Sequence, residues 1–252
     1  DHVTWRPEES FQNCPVDFIV EGGNYDFGLL SILNLLTNKK NFYGNFYLKR
    51  DNSVKFIRGN QLINSDLENL PFIDRKLTKS EYYGEKWRKK EKFYYLMAGR
   101  DCHWGKCTFC AWTSLFKNYL CMSPERTLKE IRYLIDNEGC EEIFDDSGTF
   151  PSGEWLTYFC KEFIKRKFNE KLLFSCNMRG DMLNRKNSEL IKKAGFRKIK
   201  VGLESVNQKT LQLLNKKLDP EELLKGLEFL KGSPSVHLTV MVGYPWETKE
   251  ET

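Results

Sequence analysis

Three cysteines lie within nine residues of one another, at Cys102, Cys107 and Cys110 of the 252-residue chain. Cysteine thiolates are ligands of both structural zinc and iron–sulfur clusters. A structural zinc ion takes four ligands, and the nearby candidate for the fourth, His103, adjoins Cys102 too closely for both to bind easily. Three cysteines on a four-iron cluster leave one iron open to a small molecule. The spacing therefore favours an iron–sulfur cluster over zinc, and either metal site over three unliganded cysteines.

The other five cysteines are scattered along the chain. A secreted disulfide framework would be smaller and denser in cysteine, so we expect a reducing, cytoplasmic compartment. The formal charge is only +5, and we interpret the basic segment 86–92 as a solvated face rather than a nucleic-acid surface. No apolar run is long enough to cross a bilayer, so no membrane association is expected.

A regular alternation of short apolar runs and amphipathic helices, beginning near residue 90, must position the cysteines. This alternation is typical of βα units and a parallel sheet. We predict an open sheet or a partial (β/α) barrel. The predicted strands are Phe93–Met97, Glu142–Phe144, Leu172–Cys176, Lys198–Gly202 and Val236–Val242.

Helix boundaries between these strands are marked by capping residues. Ser123, followed by Pro124, predicts an N-cap and a proline at the first helical position, and Gly139 predicts the end of that helix. The aromatic stripe from Trp155 to Phe168 predicts a second helix that packs in the core. The sequence from Asp219 has the spacing of a capping box and predicts a third helix.

The segment before residue 75 has a different pattern. It contains a predicted strand at Val16–Val20, a helix at Phe27–Leu36 and a hairpin formed by Asn45–Leu48 and Val54–Ile57. The stretch Leu67–Pro71 is interpreted as a linker. One strand–helix pair and a hairpin are too little for a complete doubly wound domain, so we expect the end of one.

Polar or glycine-rich residues follow all five predicted strands. The cysteines follow the first strand, and Asp145–Gly148, Cys176–Arg179, Glu204-Ser205 and Gly243–Pro245 follow the other four. In parallel α/β folds, the active site lies where strands end and βα loops begin. The sequence therefore predicts one shared site at this edge of the sheet.

The motifs at these strand ends, in this order, resemble those of the radical S-adenosylmethionine (SAM) superfamily. The cysteine spacing resembles the C-x-x-x-C-x-x-C of that family with one extra residue between the first two cysteines, and Phe109 stands at the family's aromatic position. The resemblance covers roughly residues 90–252. The matching segments are Cys102–Cys110, Ile143–Ser147, Cys176–Arg179, Val201–Val206 and Val242–Thr248.

The resemblance implies an α/β fold with a partial, TIM-like radical SAM barrel over residues 76–252. Residues 1–75 resemble the end of a Rossmann-like, cobalamin-binding-type domain and its linker, although the D-x-H-x-x-G cobalamin motif is absent. The sequence stops after the fifth strand, one βα unit short of the family's usual six, so we expect a fragment.

The same resemblance assigns cofactors to residues. It implies a [4Fe–4S] cluster on Cys102, Cys107 and Cys110, and S-adenosylmethionine on the open iron, with cobalamin as a further cofactor of this branch. The implied SAM contacts are Phe109 and Gly243 to the adenine, Asp146 and Ser147 to the methionine amine, Arg179 to the carboxylate and Glu204 to the ribose.

Reductive cleavage of SAM to a 5′-deoxyadenosyl radical is the activity that the resemblance implies, and it requires an electron donor such as flavodoxin or ferredoxin. Three hypotheses stay open. They are a cobalamin-dependent methyltransferase, a cobalamin-independent radical SAM enzyme of another reaction type, and a non-enzymatic zinc-binding module. The substrate is expected to be a small molecule or a peptide. Asp145 and Asp146 have the alternative role of helix caps, Arg179 that of a surface ion pair, and Glu204 that of an acid at a helix start.

Overall fold

The structure is a computed structural model that describes residues 2–51 and 53–249. Its first part contains four helices, three strands and a 3₁₀ turn at Ser80–Tyr82. The helices and strands are α1 (His2–Trp5), α2 (Pro7–Asn13), β1 (Phe18–Val20), α3 (Tyr25–Leu36), β2 (Phe46–Arg50), β3 (Ser53–Ile57) and α4 (Asn64–Glu68).

The first three strands form an antiparallel sheet in the order β1-β2-β3, which confirms the predicted strand and hairpin. The prediction of a linker at Leu67–Pro71 is wrong at its start. Leu67 belongs to α4 and is fully buried, in a small apolar cluster with Phe27, Leu62 and Leu120. Complete burial of a leucine side chain is favourable, so it holds the segment that carries it in place. The assignment of residues 1–75 to the end of a cobalamin-binding-type domain stays a prediction.

The second part of the chain is an alternation of strands and helices, as predicted. Five of its strands form one parallel sheet in the order β10-β9-β8-β7-β4, and β5 pairs with β6 in a short antiparallel ribbon. The elements are β4 (Phe93–Leu96), β5 (Gly99–Arg100), α5 (Trp112–Leu115), β6 (Leu120–Cys121), α6 (Pro124–Glu138), β7 (Glu142–Asp145), α7 (Glu154–Lys165), α8 (Phe168–Lys171), β8 (Leu173–Arg179), α9 (Arg185–Lys193), β9 (Phe196–Glu204), α10 (Gln208–Leu213), α11 (Pro220–Phe229) and β10 (Ser235–Val240).

The main core lies between the parallel sheet and the helices α6, α7, α9 and α11. The aromatic residues of α7 pack against the sheet, and Phe159 lies 5.5 Å from Phe174 and 6.4 Å from Phe196, measured between ring centroids. The predicted single helix over Trp155–Phe168 is two helices. The helical conformation is interrupted at Lys167, whose φ is +56°. The stripe is nevertheless core, as predicted.

Capping fixes the helix ends that orient the loops of the site. The Ser123 hydroxyl accepts a hydrogen bond from the Arg126 N–H at 3.0 Å, which confirms the predicted N-cap of α6. Gly139 ends α6 with φ +63°, a conformation that costs glycine little. The Asp219 carboxylate accepts from the Glu221 N–H at 2.9 Å and caps α11.

Polar contacts join the first part of the chain to β5 and α6 of the second part. The Arg100 guanidinium donates to both carboxylate oxygens of Asp26 at 2.8 and 2.6 Å, a two-pronged contact that fixes orientation. Farther along, the Arg126 guanidinium donates to the Leu70 carbonyl at 2.9 Å and to Glu130 at 2.6 Å. The contact of Arg100 with Asp26 therefore holds the segment just before the cysteines.

The basic segment 86–92 lies at the end of the parallel sheet where the strands begin. Its lysine side chains are exposed, as expected of a solvated face. The Lys89 and Lys90 N–H groups donate to the buried Glu142 carboxylate at 2.6 and 2.9 Å, and Arg197 pairs with that carboxylate at 3.1 Å. In the described ranges, no helix has the length and apolar character needed to cross a membrane.

Candidate functional site

The cysteine loop, residues 102–110, lies against the segment that follows α10. The Thr108 N–H donates to the Leu214 carbonyl at 3.0 Å, and the Trp104 indole N–H donates to the Asn215 carbonyl at 2.7 Å. In return, the Asn215 side-chain amide donates to the Lys106 carbonyl at 3.0 Å. Contacts more than 100 residues apart in the sequence thus fix the loop at the carboxyl end of the sheet.

The three cysteines are free thiols, each partly buried and partly open to solvent. Burial raises the pKa of the Cys107 thiol, while Lys216 and Arg179 lower it. Among the described residues, no three His, Cys, Asp or Glu side chains converge on a single-ion position. Cysteines that each bind a different iron of one cluster do not have to converge in that way.

The start of the cysteine loop packs directly on Gly148. A Cβ atom at Gly148 would lie 2.7 Å from the Asp101 carbonyl oxygen and 3.2 Å from the Cys102 nitrogen. Asp101 itself has φ +71° and is 3% exposed, and its Oδ1 has no hydrogen-bond partner in the part of the chain that the structure describes. Burial raises the pKa of this carboxyl. An orphaned buried oxygen beside Cys102 is the kind of group that a bound cofactor or water satisfies.

Asp145 and Ser147 form a buried network that holds the chain leading into the cysteine loop. The Asp145 carboxylate accepts from the Ala98 N–H at 2.8 Å and from the Ser147 N–H at 3.1 Å. The Ser147 hydroxyl accepts from the Gly99 N–H at 2.8 Å. Neither side chain is exposed. Both are therefore engaged in positioning residues 98–99, and the predicted contact of Ser147 with the methionine amine stays a prediction.

Asp146 is the acid at this strand end that remains accessible. Its Oδ1 accepts from the Asn177 side-chain amide at 3.2 Å, and Asn177 also donates to the Ser147 carbonyl at 2.9 Å. Burial raises the pKa of Asp146, and the nearby Lys200 opposes this. The helix-cap alternative for Asp145 and Asp146 is wrong, because the N-cap of α7 is Gly153.

Glu204 and Lys216 form a buried ion pair beside the loop. Their Oε1 and Nζ atoms are 3.0 Å apart, and the side chains are 9% and 10% exposed. A Cβ atom at Gly202 would lie 2.2 Å from that carboxylate oxygen and 2.8 Å from that amine, so the pair occupies the space beside this glycine. The Lys216 amine also lies 5.7 Å from the centroid of the Phe109 ring. Asn207, and not Glu204, caps the following helix.

Arg179 lies under the loop and is 5% exposed. It pairs with Asp181 at 3.0 Å and donates to the Lys216 carbonyl at 2.9 Å, so it supports the segment that holds Lys216. Its guanidinium carbon lies 5.3 Å from the Trp104 ring centroid. The alternative prediction, that Arg179 forms a surface ion pair, is right that it pairs with an acidic residue. It is wrong about the location, because the Arg179 side chain is buried.

The turn after β10 is tied to the end of β9. The Met241 N–H donates to the Glu204 carbonyl at 2.9 Å, and Glu247 accepts from the Thr210 hydroxyl at 2.5 Å. Gly243 has φ +84°, and apart from its two chain neighbours no described residue has an atom within 4 Å of the position of a Cβ, so its backbone is open to a ligand. The fifth strand end thus joins the same edge of the sheet.

The cysteine loop, the strand ends beside it and most of the parallel sheet lie in a segment that matches a known protein family. The family model of the radical SAM superfamily matches residues 97–252. The chain belongs to this superfamily. Its members are enzymes whose cofactors are a [4Fe–4S] cluster and S-adenosylmethionine, and the fold is the TIM-like radical SAM fold, as predicted.

Relatives of known sequence and structure extend over nearly the whole chain. An uncharacterised methyltransferase of Pyrococcus horikoshii is 25% identical over 99% of this chain and 54% of its own length. The cobalamin-dependent radical SAM enzyme OxsB has a TM-score of 0.73 at 18% identity, over 95% of this chain and 35% of its own. The radical SAM methyltransferase TsrM of Kitasatospora setae also has a TM-score of 0.73, at 12% identity, over 99% of this chain and 50% of its own. The chain therefore spans about half the length, or less, of these relatives.

The structure brings the predicted residues of this radical SAM site to one edge of the sheet. Adjacent strands are in register at their ends, with Leu96 opposite Asp145, Arg179 opposite Gly202, and Glu204 opposite Val240. Lys216 lies at the same edge through its ion pair with Glu204, and no role is predicted for it from the sequence. Its position shortly after the segment Val201–Val206 is the sequence signal that could have identified it.

Burial of Asp145 makes the free energy of unfolding of the radical SAM core depend on pH. Burial raises its pKa from 3.8 to about 7, against opposing hydrogen bonds from Ser147 and Ala98. Between these two values the folded state binds more protons than the unfolded state, so the free energy of unfolding falls as pH rises. We expect Asp145→Asn to reduce this fall by an amount on the order of a few kcal/mol, measured by guanidinium unfolding of the apoprotein at pH 5 and pH 7.

A matched control is Asp136→Asn, which removes an exposed carboxylate from α6 and should leave the pH dependence as in the wild type. The free energy of unfolding of Asp145→Asn should still fall somewhat as pH rises. Burial also raises the pKa of Asp101 and of Asp146, and both carboxyl groups act with the same sign. Equal slopes for Asp145→Asn and the wild type would contradict the role given to Asp145.

Proposed function

We propose that this chain is the cofactor-binding part of a cobalamin-dependent radical SAM methyltransferase. The observation that carries the proposal is the cysteine loop, which is held at the carboxyl end of a parallel sheet with its three free thiols partly buried. Lys216 and Arg179 lie near the thiol of Cys107. Membership of the superfamily removes the basis for the zinc-module hypothesis. What remains open among the three hypotheses is whether cobalamin takes part.

The donor set fits a [4Fe–4S] cluster held by Cys102, Cys107 and Cys110. All three thiols are free and on one loop, and two cations beside Cys107 favour its thiolate form. When bound, such a cluster supplies the electron for reductive cleavage of S-adenosylmethionine. The chain's own contribution is to fix the loop, which the hydrogen bonds of Thr108 and Asn215 support.

Charged groups around the loop fit the polar ends of SAM. Asp146 is the accessible acid for the methionine amine, and Lys216, with Arg179 behind it, is the cation for the carboxylate. The Glu204 oxygen that does not bind Lys216 has no hydrogen bond within the described residues, which leaves it free for the ribose hydroxyls. Phe109 is 38% exposed and offers a ring face for the adenine, beside the open backbone of Gly243.

Cobalamin and methyl transfer enter the proposal through the relatives. OxsB is described as cobalamin-dependent, and TsrM as a methyltransferase with cobalamin and a [4Fe–4S] cluster bound. Their likeness covers residues 1–75 as well as the barrel, since it extends over 95% and 99% of this chain. We therefore propose that residues 1–75 complete a cobalamin-binding domain.

The partners follow from the proposed chemistry. A small-molecule or peptide substrate and an electron donor such as flavodoxin or ferredoxin are required, and nucleic acid is not. All eight cysteines are free thiols, and a cluster of this kind needs reduced cysteines, so we propose a cytoplasmic location.

Anaerobic reconstitution with iron and sulfide tests the proposal. We expect about four irons per chain and, after addition of dithionite and SAM, release of 5′-deoxyadenosine, measured by mass spectrometry. Stoichiometric zinc with no uptake of iron or sulfide would contradict it. Cobalamin that copurifies with the full-length protein, together with formation of S-adenosylhomocysteine, would favour the methyltransferase over a cobalamin-independent reaction.

A further inference from the structure

A basic patch covers the outer side of the cysteine loop. Its centre is the half-buried indole of Trp104, and the Nζ atoms of Lys106 and Lys217 each lie 5.3 Å from the ring centroid. The Arg179 guanidinium carbon lies at the same distance beneath the ring. Trp104, Lys106 and Lys217 are called the Trp104 patch below. Lys106 and Lys217 are exposed, whereas Arg179 is buried, so the two lysines form the positive surface.

The two lysine amines of the Trp104 patch are not neutralised by the chain itself. Within residues 2–51 and 53–249, neither amine has a carboxylate within ion-pair distance, and both side chains are exposed. The nearby acid, Asp181, is engaged by Arg179 at 3.0 Å. An unpaired positive surface of this kind attracts an acidic partner and increases its association rate.

The patch is also rigidly placed. The Trp104 indole N–H is held by the Asn215 carbonyl at 2.7 Å, and the Lys106 carbonyl is held by the Asn215 amide at 3.0 Å. Beside the indole lies a cavity of about 260 Å³, lined by the amides of Gln208, Gln212 and Asn215. A preorganised surface loses little conformational entropy when a partner binds.

The Trp104 patch belongs to the loop that carries the cysteines. Trp104 and Lys106 lie between Cys102 and Cys107, and all three cysteines of the loop are partly exposed. A protein that binds here therefore contacts the loop that holds the three thiols.

We propose that the Trp104 patch is the docking surface for a small acidic protein that carries single electrons, of the flavodoxin type. This inference rests on the proposed function, which requires one electron for each reductive cleavage. The carrier in its hydroquinone form loses one electron to become a semiquinone, and the cluster gains that electron. Such encounters are short-lived and bury little surface, and opposite charges make them fast.

Binding of reduced flavodoxin to the reconstituted full chain tests the surface directly. We expect the double variant Lys106→Glu and Lys217→Glu to weaken binding at least about tenfold at low salt, measured by interferometry. We expect the salt dependence of the wild-type affinity to become shallower in the variant, because fewer charge pairs are screened. Lys161→Glu reverses an exposed charge on α7 and is the matched control, with affinity equal to that of the wild type.

Two further readouts separate docking from cofactor chemistry. Dithionite is a small reductant that needs no docking surface, so dithionite-driven cleavage of SAM should be equal in the wild type and in the single variant Lys217→Glu, which lies outside the cysteine loop. Semiquinone formation, followed by stopped-flow absorbance, should slow in parallel with the loss of binding. If charge reversal distorts the loop, Lys106→Gln and Lys217→Gln should still weaken binding, by a smaller factor.

Unchanged flavodoxin affinity in both double variants would overturn the docking surface. Absence of SAM cleavage by the wild type with dithionite would instead overturn the proposed function, and the binding measurement would still decide the patch. Equal loss of affinity in Lys161→Glu would show that overall charge, rather than the Trp104 patch, governs binding, and would also overturn it.

Discussion

Replacing Cys110 with alanine should abolish both the cluster and the reductive cleavage of SAM. The variant keeps two of three proposed iron ligands, and a cluster that lacks a thiolate is neither stable nor correctly oriented. Loss of groups that merely support a metal ligand costs about 10–100-fold, so loss of a ligand should cost more than about 100-fold. Iron per chain after anaerobic reconstitution and the yield of 5′-deoxyadenosine measure the two effects.

The variant tests chemistry rather than folding, because the local hydrogen bonds of Cys110 use its backbone. Its N–H donates to the Cys107 carbonyl at 3.2 Å, and its carbonyl accepts from the Thr113 hydroxyl at 2.8 Å. Both bonds survive in alanine. Cys14→Ala removes an exposed free thiol and is the matched control, with unchanged iron content. Full iron binding and cleavage by Cys110→Ala would contradict the assignment of the cluster.

The sequence patterns that predict the fold are local and physically simple. Short apolar runs bounded by polar residues identify the five parallel strands, because strands that are covered on both faces form near-continuous apolar runs. Ser123 and Gly139 identify both ends of α6, since an N-cap hydroxyl and a glycine at positive φ each satisfy the backbone there. The strand ends could therefore be predicted to meet, which they do.

The parts of the site that could not be predicted depend on contacts between distant segments. Asn215 and Lys217 have φ values of +50°, and this irregular path carries Lys216 under the cysteine loop. No periodicity of the sequence encodes such a path. The ion pair of Lys216 with Glu204 lies in the space beside Gly202, and this proximity is visible only in the three-dimensional structure.

Ser147 illustrates a different limit. The sequence predicts that this serine contacts a cofactor, and that contact stays a prediction. The structure shows that its buried hydroxyl accepts a hydrogen bond from the Gly99 N–H. Residue type and position in the sequence do not predict this bond, because it depends on how β5 passes over the end of β7.

Gly148→Ala should displace the cysteine loop and prevent stable cluster binding. The added Cβ would lie 2.7 Å from the carbonyl oxygen and 2.8 Å from the carbonyl carbon of Asp101. These are backbone atoms, so they cannot rotate away as the end of a side chain can. Forcing a methyl group into packed structure typically costs about 1–3 kcal/mol, and the atom that must move next is the Cys102 nitrogen at 3.2 Å.

The displacement matters because the loop start has little freedom to accommodate it. Asp101 is held at φ +71° with a buried side chain, and the rest of the loop is fixed by hydrogen bonds to Leu214 and Asn215. A shift at Asp101 therefore passes to Cys102 and changes its position relative to Cys107. We expect lower iron content after reconstitution and a free energy of unfolding of the apoprotein reduced by about 1–3 kcal/mol, measured by guanidinium titration.

Gly84→Ala is the control that adds the same methyl group without the same consequence. Its Cβ would lie 2.9 Å from the Arg88 guanidinium, the end of a flexible side chain that can move aside. We expect its iron content to equal that of the wild type and its free energy of unfolding to change by less than about 0.5 kcal/mol. If Gly148→Ala behaved like Gly84→Ala in both measurements, the close packing of Asp101 on Gly148 would not be what positions Cys102.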